Sequence, residues 1–197
     1  MMPIYSTLIP DPMARTPSTM LPLGTIMPFF DLSNVNGGSV QAPDPDTTGE
    51  KGTLVMFICN HCPFVIHVNE QLVKLANDYA PKGINCIAIS SNDVENYPQD
   101  SPDLMKARAK ELNYTFPYLF DETQKVAKAY DAACTPDFFL FNAGLELVYT
   151  GQLDGSRPGN DIPVTGKDLR NAMDTMLKDG SIVSNQKPSM GCNIKWK

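Results

Sequence analysis

The sequence predicts an α/β fold, a central mixed β-sheet flanked by helices, and two stretches carry that prediction. Leu54-Val-Met-Phe-Ile58 is a continuous apolar run with the length of a strand buried on both faces. From Pro63 it gives way to apolar residues at helical spacing, and then to a second apolar run, Ile84-Asn-Cys-Ile-Ala-Ile89. This is a β-α-β unit, so its two strands are parallel and joined by a right-handed crossover. Further on, Phe138-Phe-Leu-Phe141, Asn142-Ala-Gly144 and Leu145-Glu-Leu-Val-Tyr149 read as strand, turn and strand, an antiparallel hairpin. Parallel and antiparallel pairing together make the sheet mixed.

The elements follow in order. Residues 1–24 hold Pro3, Pro10, Pro12, Pro17 and Pro22 with little periodicity, the pattern of an irregular N-terminal arm. Residues 25–180 form the domain. It opens with Pro28-Phe-Phe-Asp-Leu32, a turn at Ser33-Asn-Val-Asn-Gly-Gly38 and Ser39-Val40, an N-terminal hairpin extension. Asp44–Gly52 is a polar loop ahead of the buried strand. Val65, Val68, Leu72, Leu75 and Tyr79 mark one face of the first helix, which Pro81-Lys-Gly83 ends. Ser101-Pro-Asp starts a second, mainly surface helix with Leu104, Ala107, Arg108 and Leu112. Asp121-Glu-Thr-Gln124 resembles a capping box for a third helix through Val126, Ala129 and Tyr130. Thr165-Gly-Lys-Asp168 has a similar pattern before Leu169, Ala172, Met173 and Met176, with Gly180 as the stop. Residues 181–197 form a C-terminal tail without a clear pattern.

Composition narrows the function. A chain of 197 residues, 42% of them hydrophobic, fits one domain with a full core plus extensions. A formal net charge of −6 argues against nucleic acid and acidic membrane surfaces, which both require concentrated Lys and Arg. No apolar stretch approaches the roughly 20 residues of a membrane span. The proline-broken N-terminus has no basic region, unlike a secretory signal, so a cytoplasmic, thiol-reducing setting is expected. Five cysteines, Cys59, Cys62, Cys86, Cys134 and Cys192, are an odd number in a chain that needs no staples, which suits redox or catalytic use.

Cys62 stands out among them. It falls where the buried strand ends and Pro63 opens a helix, at a helix N-terminus whose free N–H groups and dipole favour an anion. Such placement lowers a cysteine pKa from about 8.5 into the range of about 3.5–7.5 and makes the sulfur a nucleophile. Cys59 and Cys62 with His61 also have ligand-like spacing. A second Cys-x-x-Cys pair is absent, though, and His67 is the other of only two histidines, so no structural metal and no cofactor are expected. Cys86, mid-strand, reads as core.

Thr135-Pro136 lies just before the hairpin, and an X-Pro bond is the bond type with a substantial cis population. With the reactive cysteine at the first strand-to-helix junction, the chain resembles the thioredoxin superfamily. Within it, the chain is similar to the redoxin branch of alkyl hydroperoxide reductase and thiol-specific antioxidant relatives, and to a peroxiredoxin-like group. The matching pieces are Phe57-Ile-Cys-Asn-His-Cys-Pro-Phe64, Ala133-Cys-Thr-Pro-Asp-Phe-Phe-Leu-Phe141, Ser156-Arg-Pro-Gly-Asn160, Pro163-Val-Thr-Gly-Lys-Asp-Leu-Arg170 and Gly191-Cys-Asn-Ile-Lys-Trp196. They span roughly residues 25–197.

The resemblance implies a thioredoxin-like fold, with Cys62 as the attacking cysteine and a cis Pro136 beside it. Thr135, Pro136, Asn60 and His61 would shape the substrate groove. The usual second cysteine of a thioredoxin would stand at Val65, and the hydroxyl residue that peroxiredoxins carry three positions before the reactive cysteine is replaced by Cys59. Cys59 and Cys134 are the first candidates to resolve oxidised Cys62, and Cys192 in the tail is a further one. Arg157 reads first as a solvated loop charge, with a thiolate-stabilising cation as the alternative; His61 is equally a proton-shuttling or a solvated loop histidine. Trp196 reads as a docking contact of the tail.

The expected activity is thiol-dependent oxidoreduction by thiol–disulfide exchange through Cys62, with protein or small-molecule disulfides as substrates and a thiol reductant such as a thioredoxin as partner. Three alternatives stand beside it. One is a peroxidase acting on hydroperoxides, another is a non-catalytic redox-sensing or binding module, and the third is a metallochaperone using Cys59, His61 and Cys62.

Overall fold

The computed structural model describes residues 15–197, so the first part of the N-terminal arm lies outside the described residues. In chain order the elements are β1 (Arg15–Pro17), β2 (Phe30–Asn34), β3 (Ser39–Ala42), β4 (Gly52–Phe57), α1 (Pro63–Tyr79), β5 (Ile84–Ser90), α2 (Pro102–Glu111), β6 (Tyr118–Phe120), α3 (Lys125–Ala129), β7 (Cys134–Thr135), β8 (Asp137–Asn142), β9 (Leu147–Gly151), α4 (Lys167–Asp179) and β10 (Met190–Asn193).

A seven-stranded sheet in the order β3-β2-β6-β5-β4-β8-β9 forms the centre. β4 runs parallel to β5 and antiparallel to β8, so the sheet is mixed, and β2 with β3 forms the expected N-terminal hairpin. All six residues of β4 are buried. Leu54, Met56 and Ile58 pack into one core with the apolar faces of α1, α2 and α4, whereas Val55 and Phe57 pack into a second core with Tyr130 and residues of α3. Two buried faces are what an unbroken apolar run requires. α1 buries the expected Val65, Val68, Leu72, Leu75 and Tyr79. Among the described residues no helix is long and apolar enough to cross a membrane.

Several local expectations are corrected. The arm is not irregular throughout: β1 pairs antiparallel with β10, so the supposedly patternless tail also contains a strand. β10 is made by partners on both edges, β1 and β7, rather than by its own composition, Met-Gly-Cys-Asn. β6 separates the second and third helices and was hidden by its length of three residues. The capping boxes do not form. Gln124 and Gly166 begin α3 and α4 in the left-handed region without side-chain caps, while Asp121 reaches forward to accept the Ala127 N–H at 2.9 Å. On α2 the buried residues are Met105 and Ala109, and Leu104 is exposed.

The two sides of α1 make a contrast that unfolding can measure. Leu72→Ala, at a fully buried position of α1, should lower stability by about 2–5 kcal/mol in urea titration. Ile66→Ala on the exposed side of the same helix should stay within about 0.5 kcal/mol.

Candidate active site

β4 delivers the chain to the site and stops there. Ile58 still donates to Ile89 at 3.0 Å, after which Cys59–Cys62 form a loop before α1. The loop is held by one buried carboxylate. Asp100 accepts the Asn60 N–H at 2.8 Å on Oδ1, and its Oδ2 lies 2.6 Å from His61 Nδ1 and 2.8 Å from the Asn92 amide nitrogen. Asn60 is fixed further by donating to the Gln99 carbonyl at 2.9 Å and accepting from the Tyr118 hydroxyl at 3.3 Å. The His61 ring stacks on Tyr97 with centroids 5.7 Å apart. Asn92 also accepts the Lys195 N–H at 2.9 Å, so the same network reaches the C-terminal residues.

Cys62 is the N-cap residue of α1, in extended conformation, with Pro63 at the start of the helix. Its sulfur lies 2.8 Å from Cys192 Sγ and 3.1 Å from the Thr135 carbonyl oxygen. Cys59 Sγ is 3.4 Å from the Thr135 hydroxyl. The Thr135–Pro136 bond is cis, as expected, and a second cis bond joins Ala42 and Pro43. Opposite Thr135, on β10, stands Cys192 itself, while Gly191 is pressed against the Thr135–Pro136 peptide.

These contacts order the thiols by acidity. Hydrogen bonding from Cys192, then from Cys59, holds the Cys62 thiol far below its usual range, with the Thr135 hydroxyl helping and burial opposing. The donors pay the opposite way: the bond to Cys62 is the first cause that pushes both Cys59 and Cys192 up, and burial adds to it. Cys62 is therefore the most acidic of the three thiols. Burial alone pushes Cys86 up to about 12, which suits a core residue.

Of the residues expected at the site, Cys59, Cys62, Thr135 and Cys192 converge, and Pro136 walls a small adjoining cleft with Phe64, Val68 and Arg157. Four others do not meet the sulfur as expected. Cys134 alternates to the other side of its strand from Thr135, with Sγ directed at the Pro136 carbonyl at 3.7 Å, and burial keeps it protonated. Arg157 is tied to the Asp154 and Ser156 carbonyls at 2.7 and 2.6 Å and to the Gln152 side chain. Asn60 and His61 are turned onto Asp100. A 480 Å³ cavity opens beside the loop, lined by His61, Ile66, Gln99, Leu104 and Arg108.

Two acids were missed. Asp100 reads in sequence as part of the run-in to α2, and nothing local marks it as buried. Asp137 follows the cis proline, accepts the Phe138 N–H at 3.2 Å on Oδ1 and has an unpartnered Oδ2; burial pushes it up to about 7. Cys59, His61 and Asp100 offer ligand atoms within 4.8 Å of one another. Both Asp100 oxygens already accept N–H groups, however, and Cys62 is engaged by Cys192, so this donor set fits a hydrogen-bonded loop better than a metal cage.

A cysteine at the end of a central strand, capping the next helix beside a cis proline, defines a thioredoxin-like protein built for thiol-dependent redox chemistry. The chain belongs to the AhpC/TSA family, whose model matches residues 23–150. It is similar to an uncharacterized conserved protein from Geobacillus kaustophilus, with 57% identity over 94% of this chain and 97% of that one and a TM-score of 0.91. A hypothetical protein from Sinorhizobium meliloti 1021 is 46% identical over 92% and 98%, with a TM-score of 0.89. The thioredoxin domain of a thiol-disulfide oxidoreductase from Bacteroides vulgatus shares the fold at 21% identity, over 80% and 99%, with a TM-score of 0.60. No curated protein matches the chain.

Asp100→Ala should cost about 1–3 kcal/mol by leaving the Asn60 N–H unpaired, whereas Asp100→Asn, which keeps an acceptor there, should cost less; denaturant titration separates the two. Asp137 gives a pH signature. Its folded pKa of about 7 lies above the roughly 3.9 of an unfolded aspartate, so the folded state binds the extra proton and stability falls as pH rises between those values. Melting curves across pH 4–7 should show that decline in the native protein and a flatter profile in Asp137→Asn.

Proposed function

We propose that the protein is a thiol–disulfide oxidoreductase in which Cys62 is the nucleophile and Cys192 the resolving thiol. The observation that carries this reading is the 2.8 Å approach of the two sulfurs, with Cys62 the more acidic. The Cys62 thiolate attacks one sulfur of a substrate disulfide, forming a mixed disulfide and releasing the other half as a thiolate. The charge that kept Cys192 protonated has then gone. Cys192 loses its proton, attacks the Cys62 sulfur and expels the second half of the substrate, leaving a Cys62–Cys192 disulfide. Two electrons have passed from the protein to the substrate, and a thiol reductant such as a thioredoxin restores the dithiol. Protein or small-molecule disulfides are the proposed substrates, and a reducing cytoplasm is the proposed setting.

Cys192 takes the role for which Cys59 and Cys134 were the first candidates. Cys59 acts on Cys62 as a second donor and has its own sulfur 3.4 Å from the Thr135 hydroxyl, and Cys134 faces elsewhere.

Membership of the AhpC/TSA family favours a second reading, in which a hydroperoxide oxidises Cys62 to the sulfenic acid and Cys192 condenses with it, releasing water. The lowered pKa of Cys62 counts against a purely non-catalytic module.

Cys62→Ser should abolish disulfide reduction, and Cys192→Ser should stall the reaction with substrate attached to Cys62, visible as added mass on that residue. Full turnover in either variant would sink the assignment. A hydroperoxide that consumes the Cys62 thiol no faster than free cysteine leaves disulfides as the substrate.

A further inference from the structure

β10 occupies a slot one strand wide. On one side it pairs with β7, Cys192 opposite Thr135 and Asn193 opposite Cys134; on the other it pairs with β1, Arg15 opposite Cys192, Thr16 opposite Gly191 and Pro17 opposite Met190. An extended segment in this slot is therefore hydrogen-bonded along both edges, the mode by which sheets bind peptides through main-chain groups.

The slot also reads side chains at two neighbouring positions. At 192 it sets a sulfur 2.8 Å from Cys62 Sγ. At 191 it excludes any side chain: a Cβ on Gly191 would lie 2.0 Å from the Thr135 carbonyl oxygen and 3.1 Å from the Pro136 nitrogen, both rigid backbone atoms. The residue before the cysteine must be glycine for the strand to seat.

We propose that this slot is the docking surface for an extended segment of a partner protein carrying a glycine followed by a disulfide-bonded cysteine, and that residues 189–194 are the chain's built-in occupant of it. The proposal rests on Cys62 being the nucleophile. The partner's strand replaces β10 between β1 and β7, and its glycine lies against Pro136. The Cys62 thiolate then attacks the partner cysteine's sulfur: the new Cys62–partner S–S bond forms, the partner's own S–S bond breaks, and the displaced sulfur leaves with the electron pair. β10 afterwards returns with Cys192 to resolve the mixed disulfide. Selectivity arises because only a glycine-cysteine segment reproduces the contacts of β10.

The test uses the full-length Cys192→Ser protein and the peptide Ser-Met-Gly-Cys-Asn-Ile with its cysteine joined to thionitrobenzoate, whose release is read by absorbance. The glycine peptide should react at least about tenfold faster than its valine counterpart, Ser-Met-Val-Cys-Asn-Ile. Hydrogen exchange of the protein's own residues 190–194 should speed up once the glycine peptide is attached, because their strand has left the slot. Equal rates for the two peptides, or unchanged protection of residues 190–194, overturns the proposal alone if a small aromatic disulfide still modifies Cys62. Failure of Cys62 to react with that small disulfide overturns the thiol reading along with it.

Discussion

The register between β4 and β8 fixes the chemistry of this protein. Phe57 stands opposite Asp137, so two residues further along each strand Cys59 comes beside Thr135, and their side chains meet at 3.4 Å. The strand end, the cis proline and the sulfur cluster are therefore set by one ladder. Because side chains alternate along a strand, a slip of one residue would turn Val55 and Phe57 into the core now holding Leu54 and Met56, and would carry Cys59 away from Thr135. The burial of β4 on both faces makes such a slip costly, and so a packing constraint doubles as a catalytic one.

Around that frame, three thiols act on one another, and Cys62 is the most acidic of them. Cys59 and Cys192 each hold their own proton more tightly by donating to Cys62. Asp100 does not supply that acidity; it holds the loop, and its negative field reinforces the protonation of Cys59. The helix N-terminus, which in sequence was the reason to single out Cys62, supplies the extended cap position, while the acidity comes chiefly from sulfur donors. The first of those donors, Cys192, is 130 residues away in sequence and could not be read from local context.

What was legible follows from the range of the interactions involved. The β-α-β unit, the late hairpin and the buried face of α1 are written in short apolar periods, while the cis bond before Pro136 was expected from the family resemblance and the cis bond before Pro43 was not. β1, β6, β7 and β10 are two to four residues long and exist because a neighbouring strand completes their hydrogen bonds, so propensity carries almost no trace of them. Asp100 and Asp137 escaped for the same reason: an acid shows its burial only when distant elements close over it. Cys192 was visible as a thiol but not as a neighbour. The one local mark of its place is the glycine before it, and that glycine acquires meaning only once the Thr135–Pro136 peptide is seen lying against it.

The attachment of the C-terminal residues sets how β10 can move. Upstream, Ser189 bonds to the Gly151 carbonyl at 2.6 Å and Lys187 accepts the Gln152 N–H at 2.8 Å. Downstream, Lys195 is held by Asn92, Lys197 N–H donates to Gln124 at 2.9 Å, and Trp196 lies under the Lys128 ammonium. Pinned at both ends, the strand is strung like a bowstring and can leave its slot by bulging outward, not by swinging free on one hinge. Its return is then a short recoil, and the sulfur it carries comes back to Cys62 on a fixed path and in a fixed orientation.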